Sequence, residues 1–251
     1  MAPSWSARST SAESTGPRGS VTTIVLVRHG QASFGTSNYD RLSPLGERQA
    51  VVLGEHWQRG GFGAERALSG SLQRQRHTAE RALRPLGAGA PALATETAFN
   101  EFNHTQLVQA YLPLVIADDP ALRAAGPAML HDSALFRPMF GRIVSAWAEG
   151  RTPSLPVDES WGDFCARCVA GVKRAADGVE RVVIFTSGGV ITAVLQAALG
   201  LDNATALRLN WRICNASVHE FQLHDKGLNL AGFNDVSHLR LMRDEPLITR
   251  L

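Results

Sequence analysis

A histidine preceded by an arginine ends the first apolar run of the sequence. Arg28, His29 and Gly30 directly follow residues 21–27, which are mostly β-branched and apolar. Such a run predicts a central parallel strand buried on both faces, and ligands of open α/β sheets bind where such strands end. Arg28 offers a planar cationic fork that suits phosphate or carboxylate. His29 can act as a nucleophile, a base or a metal ligand, and Gly30 allows a ligand to approach the backbone closely.

Three further segments carry groups with related chemistry, and they strengthen a signal that is weak in the tripeptide alone. Arg74 lies near the N-terminus of a predicted helix, where backbone N–H groups and the helix dipole favour anions. Glu101 is an acid that follows a third extended segment. Ser187 and Gly188 begin a strand-to-helix turn that could cradle an anion.

The predicted elements that must position these groups alternate between strands and helices. The strands are predicted at residues 21–27, 67–69, 95–99 and 182–185, with a hairpin of residues 217–223 and 228–233. The helices are predicted at residues 44–60, 71–84, 161–176 and 190–199. Ser43 is the expected N-cap of the first helix, and Gly60 and Gly61 end it. This alternation favours a three-layer α/β/α sandwich around a mostly parallel sheet.

Two stretches fall outside this alternation. Residues 102–160 contain helical pieces, at 106–116 and 134–147, separated by Asp-Asp-Pro, Gly-Pro and proline-rich breaks. We interpret this stretch as a largely helical cap inserted over the functional end of the sheet. Residues 1–20 are rich in Ser, Thr, Pro and Gly and lack apolar periodicity, which predicts a disordered tail. The domain is therefore expected to span residues 21–251.

Charge and apolar patterning argue against several classes of protein. The chain has 25 Lys and Arg against 23 Asp and Glu, a net charge of +2, which gives no electrostatic case for binding nucleic acid or a membrane surface. No apolar stretch approaches the roughly 18 residues of a membrane helix, and the first residues lack the apolar core of a secretory signal. The sequence therefore predicts a cytoplasmic protein.

The three cysteines indicate structural thiols. Cys165 and Cys168 form a C-x-x-C within an amphipathic helical stretch, and Cys214 lies far from both. Because no second cysteine pair lies nearby, buried reduced thiols are a better interpretation than a zinc or redox site.

Several segments, in order along the chain, resemble the histidine phosphatase superfamily, also called the phosphoglycerate mutase-like fold. They are Leu-Val-Arg-His-Gly-Gln at 26–31, Leu-Ser-Pro-Leu-Gly at 42–46, the Ser-Leu-Gln-Arg helix start at 71–74 with Thr-Ala at 78–79, Asp-Glu-Ser at 158–160 before a helix with Arg167, and Asn-Asp-Val-Ser-His-Leu at 234–239. The resemblance covers roughly residues 21–239, which is nearly the whole chain without its tail.

The resemblance implies roles for individual residues. His29 matches the nucleophile that becomes phosphohistidine, and Arg28 and Arg74 match the arginines that hold the transferring phosphoryl group. Glu101 falls where relatives keep the acid that protonates the leaving oxygen, with Glu96 as a nearby rival. The other implied phosphate contacts are Gln31, Ser187 and Gly188. No metal or cofactor is required by this scheme.

Ser187 departs from the family pattern. Relatives usually carry a second histidine at this position, in a His-Gly-Gly or similar turn. A serine hydroxyl can still donate one hydrogen bond, but it is neutral and shorter. Losing one transition-state donor typically costs about 10²–10³ in rate, so we expect a slower or differently tuned enzyme. One of three other histidines could enter the pocket instead: His77, His104 or His219.

Three functions remain open at the level of sequence. The leading hypothesis is a metal-independent phosphomonoesterase that acts on a small phosphorylated substrate through His29. A phosphoglycerate mutase is disfavoured because residues 32–40 lack the longer, tryptophan-containing stretch that such mutases usually carry. A phosphate-binding or partner-binding module with a decayed site is supported by Ser187. It is opposed by the presence of all four other matched residues: Arg28, His29, Arg74 and Glu101.

Overall fold

Six strands form one sheet among the residues that the structure describes. The structure is a computed structural model, and those residues are 21–33, 40–125, 133–243 and 246–250; the predicted tail at 1–20 lies outside them. The strands are β1 (Thr22–Arg28), β2 (Arg66–Ser69), β3 (Leu93–Thr95), β4 (Arg181–Thr186), β5 (Val218–His224) and β6 (Gly227–Asp235). Their order is β3-β2-β4-β1-β5-β6. The pairs from β3 to β1 are parallel, and β5 and β6 add an antiparallel hairpin, as predicted.

Helices cover both faces of this sheet. They are α1 (Pro44–Gly60), α2 (Gln73–Leu83), α3 (His104–Asp118), α4 (Pro120–Ala125), α5 (Ser133–Ala148), α6 (Trp161–Ala176), α7 (Gly188–Leu199), α8 (Asn203–Asn210) and α9 (Ser237–Arg240). The short helices α4, α8 and α9 were not predicted from the sequence. Within the described ranges, no helix has both the length and the apolar character needed to cross a membrane.

Side chains that alternate along β1 divide the apolar core in two. Ile24 and Leu26 belong to a cluster with α3, α5, α6 and α7. Val25 and Val27 face the opposite side and belong to a cluster with α1 and α2. All four are at most 3% exposed, which is the pattern of a strand covered on both faces. The predicted three-layer α/β/α sandwich is therefore confirmed.

The first helix begins and ends at the residues that the sequence indicates. The Ser43 side chain accepts a hydrogen bond from the backbone N–H of Gly46, and Gly61 ends α1 in the left-handed region with φ 65°. A serine N-cap and a glycine at the C-terminus satisfy backbone groups that the helix itself leaves without partners. Local signals were sufficient here.

The prediction of an extended segment at residues 95–99 is wrong in its position. The strand β3 ends at Thr95, and Thr97–Phe99 forms a 3-10 helix. Ala98 and Phe99 are buried, and a short apolar run is compatible with either conformation. The predicted helix at 71–84 also differs, because α2 begins at Gln73 and continues after Leu83 as a 3-10 helix, Arg84–Gly89.

The stretch predicted as a cap contains α3, α4 and α5 in its described part. α3 and α5 include the predicted helical pieces, and each tolerates an internal proline. Phe102, Trp147 and Phe164 pack together with ring centroids 5.1 to 5.8 Å apart. This aromatic cluster joins the start of the stretch, α5 and α6 directly beside Glu101.

Two glycines allow α1 to pack against the chain that follows His29. A Cβ atom on Gly30 would lie 2.3 Å from the carbonyl oxygen of Gly46, and a Cβ on Gly46 would lie 2.1 Å from the carbonyl oxygen of Gln31. Neither distance leaves room for a side chain. The close approach expected at Gly30 is therefore an approach to α1.

We expect Gly46→Ala to destabilise the fold by about 3 kcal/mol, because the added methyl group meets rigid backbone. Gly60→Ala is the matched control in the same helix, since no atom lies within 4 Å of its Cβ position; it should be neutral or stabilise by up to about 1 kcal/mol. Urea unfolding of both variants measures the difference. Equal stability of the two variants would refute the packing described here.

Candidate active site

The imidazole of His29 is buried, and both of its ring nitrogens have defined neighbours. The residue is 4% exposed. Nδ1 lies 2.7 Å from the carbonyl oxygen of Gly30, and because a carbonyl can only accept, Nδ1 carries the hydrogen. Nε of Arg74 donates to Nε2 of His29 at 3.2 Å. Nε2 therefore carries a lone pair, which a nucleophilic nitrogen requires.

Burial and two cations keep this imidazole neutral. Burial lowers the pKa of His29 well below its ordinary value, and the guanidinium groups of Arg74 and Arg28 lower that pKa further. Protonation would place a third positive charge in a region that water does not solvate. At neutral pH the site thus holds His29 in its unprotonated form.

Arg74 is held at the second position of α2 by Asp40. Arg74 is 5% exposed, and its Nη1 lies 2.7 Å from Oδ1 of Asp40. The other carboxylate oxygen accepts from the backbone N–H of Gln73 at 2.8 Å. Leu72, the N-cap residue of α2, provides no capping side chain. Asp40 therefore orients Arg74 and also serves as an anion at this helix N-terminus.

Arg28 lies between the segment after α8 and the start of α7. Its Nη1 donates to the carbonyl oxygen of Ile213. A Cβ atom on Gly188 would lie at an ordinary contact distance of 3.8 Å from Nε of Arg28, but only 2.9 Å from Oδ1 of Asn210. The absence of a side chain at Gly188 therefore allows the Asn210 amide to approach the N-terminus of α7 beside the guanidinium.

The carboxyl group of Glu101 lies against the same turn. Its Oε2 accepts from the backbone N–H of Gly189 at 3.0 Å, and its Oε1 accepts from that of Phe102 at 3.2 Å. Burial of the carboxyl group raises the pKa of Glu101, although the two N–H groups, Arg74 and Arg28 each oppose the shift. The group thus retains a proton to higher pH than an exposed glutamate does.

Glu96, the rival to Glu101, lies elsewhere. Its Oε1 is 3.3 Å from Nη2 of Arg174, and both side chains are more than one third exposed. The structure places Glu101 with His29, Arg28 and Arg74, and it places Glu96 at the surface of α6.

Arg167 braces the segment that leads to Glu101. Its guanidinium forms a two-point contact with the carboxylate of Glu159, at 2.7 and 2.9 Å. Nη1 donates to the carbonyl oxygens of Ala98 and Asn100 at 2.9 and 3.0 Å. Because these carbonyls lie just before Glu101, the ion pair fixes the backbone from which the acid projects.

Ser187 is the N-cap residue of α7 and is fully buried. Its Oγ makes no capping bond to the helix; it accepts a hydrogen bond from Nε2 of Gln75 at 2.8 Å. Gln75 directly follows Arg74 in α2. The position that the family pattern assigns to an imidazole thus holds a hydroxyl with an amide beside it.

Gln31 contacts the N-terminal part of α1 and its N-cap residue. Its Oε1 accepts from Oγ of Ser43 at 2.8 Å, and its backbone N–H donates to Gln49 at 2.8 Å. Both contacts connect the chain after His29 to α1. Phosphate binding by the Gln31 side chain stays a prediction.

The three alternative histidines have different surroundings. Burial, followed by the charge of Arg74, lowers the pKa of His104, so this half-buried side chain lies near the site. His219 is fully buried and bonded to Ser217 at 3.0 Å, and burial lowers its pKa to about 3. His77 is a half-buried residue of α2.

The C-x-x-C cysteines are free thiols in α6. Burial, with a contribution from Glu159, raises the pKa of Cys165 to about 12. Burial also raises the pKa of Cys168. Thiols with raised pKa values are poor nucleophiles at neutral pH. In the part of the chain that the structure describes, no group of three or more His, Cys, Asp and Glu side chains is arranged to hold a metal ion.

Three residues of the site were missed by sequence reasoning. Asp40 holds Arg74, and Gln75 contacts Ser187. Thr78 accepts from the backbone N–H of Gly30 at 3.0 Å. Thr78 was noticed only as part of a motif, and for the other two no local pattern marks a pairing that forms across the fold.

Comparison with known proteins identifies the family. The family model of the histidine phosphatase superfamily (branch 1) matches residues 24–125 and 126–236. The chain belongs to this superfamily. A similar protein, the 2,3-bisphosphoglycerate-dependent phosphoglycerate mutase of Treponema pallidum (strain Nichols), is 25% identical over 225 residues, covering 79% of this chain and 87% of that protein.

Solved structures show the same histidine phosphatase fold. Phosphoglycerate mutase from Bacillus anthracis str. Sterne superimposes with a TM-score of 0.59 at 19% identity, over 88% of this chain and 96% of that chain. A mycobacterial glucosyl-3-phosphoglycerate phosphatase superimposes with a TM-score of 0.58 at 22% identity, over 85% and 99%. The fold class inferred from the sequence is thereby confirmed.

If Glu101 is the general acid, Glu101→Gln should lower kcat/KM for an alkyl phosphate by about 10²–10⁴ and hardly affect kcat/KM for an activated aryl phosphate. A basic leaving oxygen needs the proton, and a nitrophenolate does not. Steady-state kinetics with the two substrates gives both values of kcat/KM, which report the steps up to loss of the leaving group and not the later release of phosphate. Because the pKa of Glu101 is raised, wild-type turnover of the alkyl phosphate should fall as the pH rises through that pKa.

Glu96→Gln is the matched control and should leave both rates unchanged. Equal slowing of both substrates by Glu101→Gln would contradict the assignment, and selective slowing of the alkyl phosphate by Glu96→Gln would transfer the role to the rival.

Proposed function

We propose that the protein is a metal-independent phosphomonoester hydrolase that works through a phosphohistidine intermediate on His29. The observation that carries the proposal is the state of His29, a buried neutral imidazole whose Nδ1 is bound to the Gly30 carbonyl and whose Nε2 faces Arg74. A histidine that serves only to fill the core needs no cations on its lone-pair side.

In the first step, Nε2 of His29 attacks phosphorus in line with the leaving oxygen. The N–P bond forms as the P–O bond breaks, and Glu101 transfers its proton to the departing oxygen. Arg28 and Arg74 neutralise the phosphoryl dianion while its charge redistributes. The raised pKa of Glu101 suits this role, because the carboxyl group must be protonated when the substrate binds.

In the second step, water hydrolyses the phosphohistidine. The carboxylate of Glu101, now unprotonated, accepts a proton from the attacking water as the new P–O bond forms. The P–N bond breaks, and its electron pair returns to Nε2 of His29. Inorganic phosphate leaves, and the neutral imidazole and the protonated acid are restored.

Arg74 must change partner when substrate binds. In the structure its Nε donates to Nε2 of His29, which is the lone pair that the reaction requires. A phosphoryl dianion is a stronger acceptor than a neutral imidazole, so the guanidinium would turn to the phosphoryl oxygens and release the nucleophile. The Asp40 carboxylate at Nη1 limits this turn to a small rotation.

The named relatives support two reactions of this kind. Similar proteins carry the names of phosphoglycerate mutases and of phosphatases that act on glucosyl-3-phosphoglycerate and phosphoserine. Both reactions transfer a phosphoryl group from a small phosphomonoester, so that substrate class is common to them. We favour hydrolysis because the sequence of residues 32–40 lacks the longer, tryptophan-containing stretch that mutases usually carry. Residues 34–39 lie outside the described ranges. Mutase-type transfer is the second candidate.

A cavity next to Glu101 is a suitable place for the leaving group. Its volume is about 310 Å³, and Glu101, Phe102, Trp147 and Arg167 are among the residues that line it. A general acid at one wall of a cavity can reach the oxygen of a group bound there. The volume corresponds to a small organic moiety.

Under this proposal, His29→Ala should abolish release of inorganic phosphate from an activated aryl phosphate and abolish covalent labelling by a ³²P-labelled substrate after an acid-free quench. His77→Ala, in a half-buried histidine of α2, is the matched control and should retain both signals. Hydrolysis near the wild-type rate by the His29 variant would overturn the nucleophile. Interconversion of phosphoglycerates faster than phosphate release by the wild type would favour the mutase.

A further inference from the structure

The amide of Gln75 is completely enclosed, and its orientation is determined by its neighbours. The residue is 0% exposed. Nε2 donates to the carbonyl oxygen of Phe99 at 2.9 Å and to Oγ of Ser187 at 2.8 Å. Because a carbonyl can only accept, the NH₂ group must face Phe99, and a flipped amide is excluded. Both hydrogens of Nε2 are then used, one on each partner.

This orientation constrains the hydroxyl of Ser187. Its oxygen accepts from Gln75, so its own hydrogen must point away from Gln75. The hydroxyl makes no bond to the N-terminus of α7. It is buried at the end of β4, whose last residue, Thr186, accepts through its carbonyl oxygen from the backbone N–H of His29 at 2.8 Å. Ser187 thus directly follows the residue that bonds to the backbone of His29.

We propose that Gln75 is a positioning residue that presents the Ser187 hydroxyl as a hydrogen-bond donor to the phosphoryl group. The proposal rests on the phosphoryl site proposed above. Two consecutive residues of α2 then contact the residues that follow β1 and β4: Arg74 contacts His29, and Gln75 contacts Ser187. A hydroxyl polarised by a donor on its oxygen is a stronger donor through its hydrogen, since chained hydrogen bonds reinforce one another.

The carbonyl oxygen of the Gln75 side chain indicates that filling space is not the only role of this residue. Among the described residues, no donor reaches Oε1, and a Cβ on Gly70 would lie 1.9 Å from that oxygen. A buried carbonyl without a partner is unfavourable, and an apolar side chain of the same length would avoid it. The carbonyl of Phe99 does not require Gln75 either, because Oγ1 of Thr186 also donates to it at 2.8 Å.

Gln75→Met separates positioning from space filling. Methionine has a similar volume and removes both the donor and the buried carbonyl. We would measure the dissociation constant of orthovanadate by calorimetry, kcat for an activated aryl phosphate, and the melting temperature, for Gln75→Met, Ser187→Ala and the double variant. Gln196→Met, in a half-buried glutamine near the other end of α7, is the matched control. If methionine lowers the melting temperature too far for binding studies, Gln75→Ala replaces it under the same criteria.

We expect Gln75→Met and Ser187→Ala each to weaken orthovanadate binding by about tenfold, the upper part of the range for one hydrogen bond. The double variant should bind no more weakly than Ser187→Ala, because both changes remove the same donor. The control should bind as the wild type does. Wild-type affinity in Gln75→Met, additive losses in the double variant, or no orthovanadate binding by the wild type would each overturn the proposal. If the variants bind orthovanadate as expected but the wild type shows no phosphatase activity, this role of Gln75 stands and the proposed hydrolase activity is refuted.

Discussion

The protonation state of one buried imidazole, held beside two guanidinium groups, determines what chemistry this fold can support. Burial and the two cations together exclude the protonated form of His29, and a neutral imidazole has one lone pair to offer. The Gly30 carbonyl decides which nitrogen offers it, because it takes the hydrogen of Nδ1. A dianion bound between Arg28 and Arg74 would relieve the repulsion between these cations.

The fold holds the backbone of this histidine from several sides. The N–H of His29 donates to β4, and its carbonyl oxygen accepts from Ala216 and Asn215, both at 3.2 Å. The N–H of Gly30 donates to Thr78 of α2, and α1 packs against Gly30. Four separate elements thus fix one residue. Such redundancy suits a nucleophile, because a displacement of about 1 Å can cost two orders of magnitude in rate.

The sequence was a good guide where the signal is local. Apolar runs located β1 and β4, and capping residues located both ends of α1, because each signal lies within a few residues of the structure that it forms. The partners of the charged and polar groups were not accessible in this way. Asp40 contacts Arg74 across 34 positions, and Gln75 contacts Ser187 across 112. Such pairs depend on how α2 docks against two strand ends, which no local pattern encodes. The segment before Glu101 was misplaced for a related reason, since its 3-10 turn is braced from α6 by Arg167.

A crystal structure of the protein with orthovanadate would show whether Nε2 of His29 is the atom that receives the phosphoryl group. We expect vanadium within coordination distance of Nε2, with Arg28 and Arg74 bonded to the equatorial oxygens and Arg74 turned away from the imidazole. Vanadate bound elsewhere, or Arg74 still donating to Nε2 with the anion in place, would refute this role of His29.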